Sequence, residues 1–253
     1  MQNKKYQINN IKKLLNSDEF KKYKFVYIYS DFRFFLSENK KNTEKFMKSF
    51  VEFFLKNNQT IIVPTFSYSK KRFDTKTTRS SVGFFSNYIL KLKGTLRSEH
   101  PMFSYAAYGP SKKIVNKIGK SAFGKDSVHE RLLFNSCGYL HFGRKLIDGN
   151  TIAHHVEQNL AANYRFEKVF QTKVYKNKKY IGTNYSAYVK KNFNKSSLFS
   201  FKKVARKMEK GGFISKMNNE KNLKSIFYYS YDEIYFFLHK LYLLDNKIFL
   251  KHD

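Results

Sequence analysis

A single cysteine, Cys137, stands among 253 residues. A lone thiol excludes an intrachain disulfide and supplies no cysteine pair for a zinc site, so it is expected to be a small buried hydrophobe. Proline occurs three times and tryptophan not at all. With no low-complexity stretch and no firm boundary, one domain over residues 1–253 is expected. Acidic residues are scarce: 19 Asp and Glu face 49 Lys and Arg, a net charge of +30. Long apolar runs are also missing. Residues 1–22 are charged and Asn-rich, without the continuous apolar centre of a signal peptide. Residues 234–244 are broken by His239 and Lys240 and are too short to span a bilayer. The expectation is a cytoplasmic protein without a membrane span.

What is abundant points to a real core: 42% of residues are hydrophobic and 18% aromatic, which rules against disorder. A net charge of +30 attracts anions such as nucleic acid, acidic lipid or phosphorylated small molecules. The charge is spread along the whole chain, so most lysines are expected on the solvated surface and a minority around an anion site. The aromatics fall at helix and strand periods and so read as core, not as an exposed stacking platform. That disfavours nucleic acid as the partner, although a non-catalytic protein binding nucleic acid or another anion is the rival from outside the enzyme class.

Residues 1–22 carry an amphipathic helix pattern through Ile11, Leu14 and Leu15, and 25–29 are an apolar strand ending at Ser30-Asp31. Phe46, Phe50, Phe53 and Phe54 are spaced for a wide helical face over 43–56. Residues 60–63 are a second buried strand, stopped by Pro64. Strand–helix–strand order predicts an α/β fold. Beyond it, 65–82 read as a long loop and 82–92, 112–118 and 127–133 as helices. Residues 139–142 read as a strand, and a helix starts near Asn150 or Thr151. Residues 166–175 and 178–183 read as a hairpin across Asn177, with late helices near 198–210 and 231–244.

Two clusters could carry chemistry. Asp148, His154, His155 and Glu157 lie within ten positions at the start of a helix capped by Asn150 or Thr151. In its first turn His154 shares a face with Glu157 and Gln158 at i+3 and i+4, whereas His155 is rotated by roughly 100 degrees. A neutral imidazole against a carboxylate is how a general base is built. By spacing alone the plainer reading of His154 is a packed helix residue bonded to a carbonyl. A metal site is disfavoured, because adjacent helical histidines diverge and HExxH spacing is absent. The second cluster is Arg97-Ser98-Glu99-His100-Pro101 through Ser104, Ala106 and Gly109. Its small residues signal a close backbone or ligand approach, and Arg97 reads equally as a phosphate contact or as a structural ion pair.

Together these segments resemble the aminoglycoside 3-N-acetyltransferase family, which is distinct in fold from the GNAT acetyltransferases. Val63-Pro64-Thr65-Phe66-Ser67 is similar to the family's Pro-Thr-Phe-Ser strand end, and the 97–109 segment to its R-S-x-H-P-x-x-S-x-A-A-x-G block. Residues 148–157 are similar to D-x-N-T-x-x-H-x-x-E, and Ser30 to the first of two serines after the first strand, the second being Asp31 here. The likeness covers roughly residues 10–165. It implies a three-layer α/β/α sandwich with a mixed central sheet, a single acetyltransferase domain, and direct acetyl transfer from acetyl-coenzyme A to an amine without a metal. His154 would be the general base, with Asp148 orienting it and Glu157 beside it. Ser30, Thr65, Ser67, Arg97 and Ser104 are candidates for the coenzyme side.

The departure concerns the acceptor. The family's aminoglycoside enzymes carry an acidic stretch after the histidine block, and here residues 185–195 contain no carboxylate. A chain of charge +30 should repel a polycationic antibiotic. The first expectation is therefore an anionic, nucleotide-linked amino sugar for surface glycans. Aminoglycoside resistance is the alternative and an inactive family member a third. The partner in either active case is a small amino-sugar acceptor; a homodimer is compatible with all three.

Overall fold

Phe25–Ser30 (β1) reads Phe-Val-Tyr-Ile-Tyr-Ser, with its first four residues buried. A run that is apolar on both faces belongs in the middle of a parallel sheet covered on both sides. The computed structural model describes residues 16–32, 40–191, 199–216 and 226–251 and puts β1 there. The expected helix around Ile11, Leu14 and Leu15 lies outside the described residues, which begin just before a short helix, Asp18–Lys21 (α1).

After β1 the chain runs through Lys40–Lys56 (α2), Thr60–Pro64 (β2), Arg72–Asp74 (β3), Phe84–Lys91 (α3), Leu96–Arg97 (β4) and Tyr105–Tyr108 (β5). Val128–Leu133 (α4), Cys137–Phe142 (β6), Ile152–Asn159 (α5), Arg165–Phe170 (β7), Lys173–Lys176 (β8), Lys179–Gly182 (β9) and Tyr185–Lys190 (β10) follow. Lys202–Lys210 (α6), Ser215–Lys216 (β11), Ile226–Ser230 (β12) and Tyr231–Leu244 (α7) complete the described elements. The main sheet has the order β11-β12-β6-β1-β2-β5-β4. β1 is parallel to β2 on one side and to β6 on the other, with Phe25 opposite both Thr60 and Cys137. β5 and β12 are antiparallel to their inner neighbours, so the sheet is mixed.

Alternation along β1 sorts the core into two halves. Phe25 and Tyr27 join Ile152, Val156, Leu132, Ile234 and Leu238 from α4, α5 and α7. Val26 and Ile28 join Met47, Phe50 and Phe54 of α2 and Phe85 and Ile89 of α3. Helices therefore cover both faces, giving the three-layer α/β/α sandwich. Each fully buried Phe or Ile contributes about 1.5–3 kcal/mol.

Several expectations shift. Residues 65–82 contain β3, which pairs in parallel with β8. The helix expected over 112–118 is a single 3-10 turn, Lys112–Val115. Residues 166–175 are two strands in two sheets, not one: Thr172 between them is tied to the Ser69 carbonyl at 2.7 Å, so β7 pairs with β10 while β8 turns back into β9. The latter turn is at Asn177-Lys178, both with positive φ, as a tight hairpin requires.

Candidate active site

Chain order places a switch point at β1: the chain passes to β2 on one side and later returns to β6 on the other. Ligand clefts of open α/β sheets form outside the carboxyl ends of the strands at such a point. Ser30 and Asp31 end β1, Thr65 follows β2, and Gly143 to Thr151 leave β6 for α5.

The start of α5 is built by local chemistry. Asn150 accepts from the Ala153 amide at 3.2 Å and donates to Tyr229 Oη at 3.0 Å; Thr151 Oγ1 lies 3.0 Å from Tyr27 Oη. Gly149 has φ +82, and a Cβ there would fall 2.7 Å from the ring of Phe199. Only glycine accepts that conformation cheaply. The reversal aims His154, in the first turn of α5, between the rings of Phe123 and Phe199, 5.6 and 5.0 Å away.

His154 Nδ1 lies 2.7 Å from Glu157 Oε2. Glu157 is fully buried, as is its second partner Arg165, whose Nη2 is 2.8 Å from the same oxygen. Tyr164 Oη donates to Glu157 Oε1 at 2.9 Å, and Arg165 Nη1 donates to the Tyr188 carbonyl at 3.1 Å. Burial raises the Glu157 carboxyl, but the hydrogen bonds and positive charges of His154 and Arg165 outweigh it and hold the group below its ordinary value. Arg165 Nη2, a donor only, also lies 3.1 Å from Nδ1, but the shorter 2.7 Å contact to an ionised Glu157 assigns the proton of a neutral imidazole to Nδ1. Nε2 then carries the lone pair, and it has no hydrogen-bond partner among the described residues. With the His154 side chain 28% exposed, this nitrogen can reach a ligand.

The neighbouring histidines are different. Burial pushes His100 and His155 down to about 4 and His141 to about 3, and lowers His129 further by the charge of His155 and His154. All four are neutral parts of the packing. His155 accepts from the Gly124 amide at 2.9 Å, on the other side of the helix from Glu157.

Asp148, expected to orient His154, does not touch it. The 3-10 turn Leu146–Asp148 folds its carboxylate back onto the Lys145 amide at 3.2 Å and onto Arg144 Nε at 3.3 Å. Glu157 holds the imidazole instead. Arg97, read equally as a phosphate contact or as a structural ion pair, is 5% exposed. It donates from Nε to Ser104 Oγ at 3.0 Å, from Nη2 to the Thr65 carbonyl at 2.5 Å, and from Nη1 to the Thr78 carbonyl. Burial pulls its guanidinium down to about 9, with Asp74 opposing, so it stays cationic at neutral pH. Thr65 Oγ1 and Ser104 Oγ are 3.1 Å apart, and Ser67 donates to the Pro101 carbonyl at 2.7 Å. These four side chains bind the strand ends to each other. Ser30 is half-buried and its hydroxyl has no hydrogen-bond partner among the described residues, on the face of β1 shared with Val26 and Ile28. Tyr164, Arg165, Phe123 and Phe199 were not legible as site residues: they reach His154 only through the turn after α5 and through tertiary packing.

Among the described residues no group of three His, Cys, Asp or Glu side chains is placed to hold a metal ion, and no helix is long and apolar enough to cross a membrane. The family model of aminoglycoside 3-N-acetyltransferases matches residues 40–230, and no curated protein sequence matches the chain. Among solved structures, the aminoglycoside acetyltransferase AAC(3)-IVa apoenzyme is similar over 98% of this chain and 91% of its own, at 17% identity and TM-score 0.72. The YokD protein from Bacillus subtilis matches over 96% and 99%, at 16% identity and TM-score 0.71. AAC-VIa bound to sisomicin matches over 96% and 97%, at 15% identity and TM-score 0.73. A mixed sheet between helical layers is the fold that this chain shares with these structures. The chain belongs to the aminoglycoside 3-N-acetyltransferase family.

Proposed function

We propose that this chain transfers an acetyl group from acetyl-coenzyme A to an amine of an amino sugar, with His154 as general base. The observation that carries this reading is the buried Glu157 carboxylate holding His154 Nδ1 at 2.7 Å while Nε2 stays free in a partly open position. A sugar ammonium with a pKa of about 8 is mostly protonated at neutral pH, so a base must take its proton before nitrogen can attack. His154 Nε2 takes that proton. Glu157, pinned by Tyr164 and Arg165, fixes the tautomer and offsets the charge of the imidazolium. Acetyl-coenzyme A would supply the thioester carbonyl: the C–S bond breaks as the C–N bond forms, and the coenzyme leaves as a thiol. Of the two protons that the ammonium loses, one passes to that thiol and the other to solvent through the imidazole. The unpartnered hydroxyl of Ser30 and the exposed Lys145, after the ends of β1 and β6, suit a phosphate-bearing thioester in the switch-point cleft, whereas Arg144 is held by Asp148 and Tyr29. The protein, on this reading, works as a soluble small-molecule enzyme.

Family membership favours an aminoglycoside as the acceptor over the nucleotide-linked amino sugar expected from charge. Strand pairing adds to this. The carboxylate-free stretch that begins at β10 has Glu167 of β7 beside it, accepting from Ser186 Oγ at 2.6 Å, and residues 192–195 of that stretch lie outside the described residues. The nucleotide-linked acceptor stays as a second reading on one observation, the net charge of +30. Acetyl-transfer assays that follow thiol release with gentamicin- and kanamycin-class acceptors against nucleotide amino sugars decide between them. Turnover only on the nucleotide amino sugars would reverse the order. Thiol release from neither class at any enzyme concentration would refute the enzyme.

A further inference from the structure

The ring of Phe199 that packs on His154 is also one wall of a cavity of about 400 Å3. Four of the side chains around that cavity are cations: Lys202, Lys203, Arg206 and Lys251. None of its walls is a carboxylate, and none of the four makes an ion pair among the described residues. The walls are tied together. Phe199 bridges to Leu250 in antiparallel fashion, the Ser200 amide donates to the Phe249 carbonyl at 2.9 Å, and Phe201 and Phe249 are buried beneath. Lys202 and Lys203 open α6, whose first turn has no acidic residue, so the partial positive charge of the helix end adds to theirs.

Like charges gathered over the apolar floor of Phe199, Ile248 and Leu250 repel one another, and an anion seated among them relieves that repulsion. A second cavity of about 400 Å3, along 90–97, is basic too. There Lys176 is held by Glu99 at 2.8 Å and Arg97 is consumed by carbonyls, while Lys76, Lys91 and Lys93 make no ion pair among the described residues. It also shares no residue with the His154 cluster. Of these two cavities among the described residues, the Phe199 cavity is the one with a wall in contact with the imidazole.

We infer that the Phe199 cavity seats a phosphate or diphosphate group of a molecule whose reacting end lies at His154. The inference rests on the acetyltransferase reading of His154 for the second half of that statement. Two molecules could bring the phosphate: coenzyme A, or an acceptor that carries its own.

The test is calorimetry on the wild type and on the triple variant Lys202→Gln, Lys203→Gln, Arg206→Gln. The probes are coenzyme A, uridine diphosphate and uncharged pantetheine, with circular dichroism to confirm folding. The loss of one charge-assisted bond to phosphate weakens the bound probe by about 10- to 100-fold. Pantetheine affinity and turnover of S-acetylpantetheine with an unphosphorylated acceptor stay within about twofold. Weakening confined to coenzyme A assigns the phosphate to the co-substrate, and weakening confined to uridine diphosphate assigns it to the acceptor. Unchanged affinity for both in a folded variant, or no binding of either by the wild type, overturns the inference. Binding does not depend on turnover. A wild type that loses phosphate affinity with these substitutions, yet transfers no acetyl group, refutes the base at His154 and upholds the cavity.

Discussion

Two buried arginines organise the two segments that stand out in this sequence, and they do opposite things. Arg97, 5% exposed, spends its donors on Ser104 and on the carbonyls of Thr65 and Thr78. Thr65 and Ser104 saturate each other, and nothing in that knot faces outward. Arg165, 6% exposed, gives its charge to Glu157, and Glu157 gives one oxygen to an imidazole whose other nitrogen is unengaged. A polar cluster with every atom satisfied is a fastening. One that leaves a single lone pair at a partly open surface can act on a substrate. Residue types do not separate the two; counting the hydrogen bonds does.

Substitution should pull the two clusters apart. The largest effect expected is on turnover in His154→Ala: thiol-release assays should show a fall of about 10²–10⁴-fold with the melting temperature nearly unchanged, because His154 is partly exposed and makes no backbone bond through its side chain. Arg97→Ala should do the reverse. It leaves buried carbonyls and Ser104 unpaired at about 1–3 kcal/mol each. Chemical denaturation should show a loss of several kcal/mol while kcat per folded molecule stays within a few-fold. A similar kcat loss in both variants would erase the distinction. Glu157→Gln sits between them: it strands the buried Arg165 charge, which should cost about 3–5 kcal/mol, and it removes the negative charge that steadies the imidazolium, so stability and kcat both fall.

The smallest effect is on acid stability. The Glu157 carboxyl is held below its unfolded value of about 4.5. A group shifted that way adds stability that is fully present above the unfolded value and drains away as pH falls through the folded one. Urea midpoints should therefore decline more steeply below about pH 4.5 in the wild type than in Glu157→Gln. Parallel curves would mean the carboxylate is not held as described.

Much of this was legible before any coordinates. The runs at 25–29 and 60–63 are apolar throughout because both faces of β1 and β2 are covered, and the phenylalanine spacing of α2 matches the face it buries. The i, i+3 relation of His154 and Glu157 follows from helix geometry alone. What was not legible depends on turns and distant pairings. Asp148 and Glu157 are both acids near His154 in sequence. The choice between them is made by a 3-10 turn that closes Asp148 onto its own backbone and by the positive φ of Gly149. Edge strands as short as β4 and β11, two residues each, carry too few side chains to show a period. β12 runs directly into α7 with no turn between them, and the sequence pattern assigns 226–229 to no element. Phe199 comes 45 positions after His154 and reaches it only through packing.

The claim beneath all of this is that Nδ1–H of His154 donates to the Glu157 carboxylate and so leaves Nε2 bare toward the acceptor. Nitrogen-15 NMR of histidine-labelled protein at mildly alkaline pH reads that directly. The account predicts His154 as the Nδ1–H tautomer with an unprotonated Nε2, a signal lost in His154→Ala and altered in Glu157→Gln. An Nε2–H tautomer for His154, unmoved by the Glu157 substitution, would contradict it.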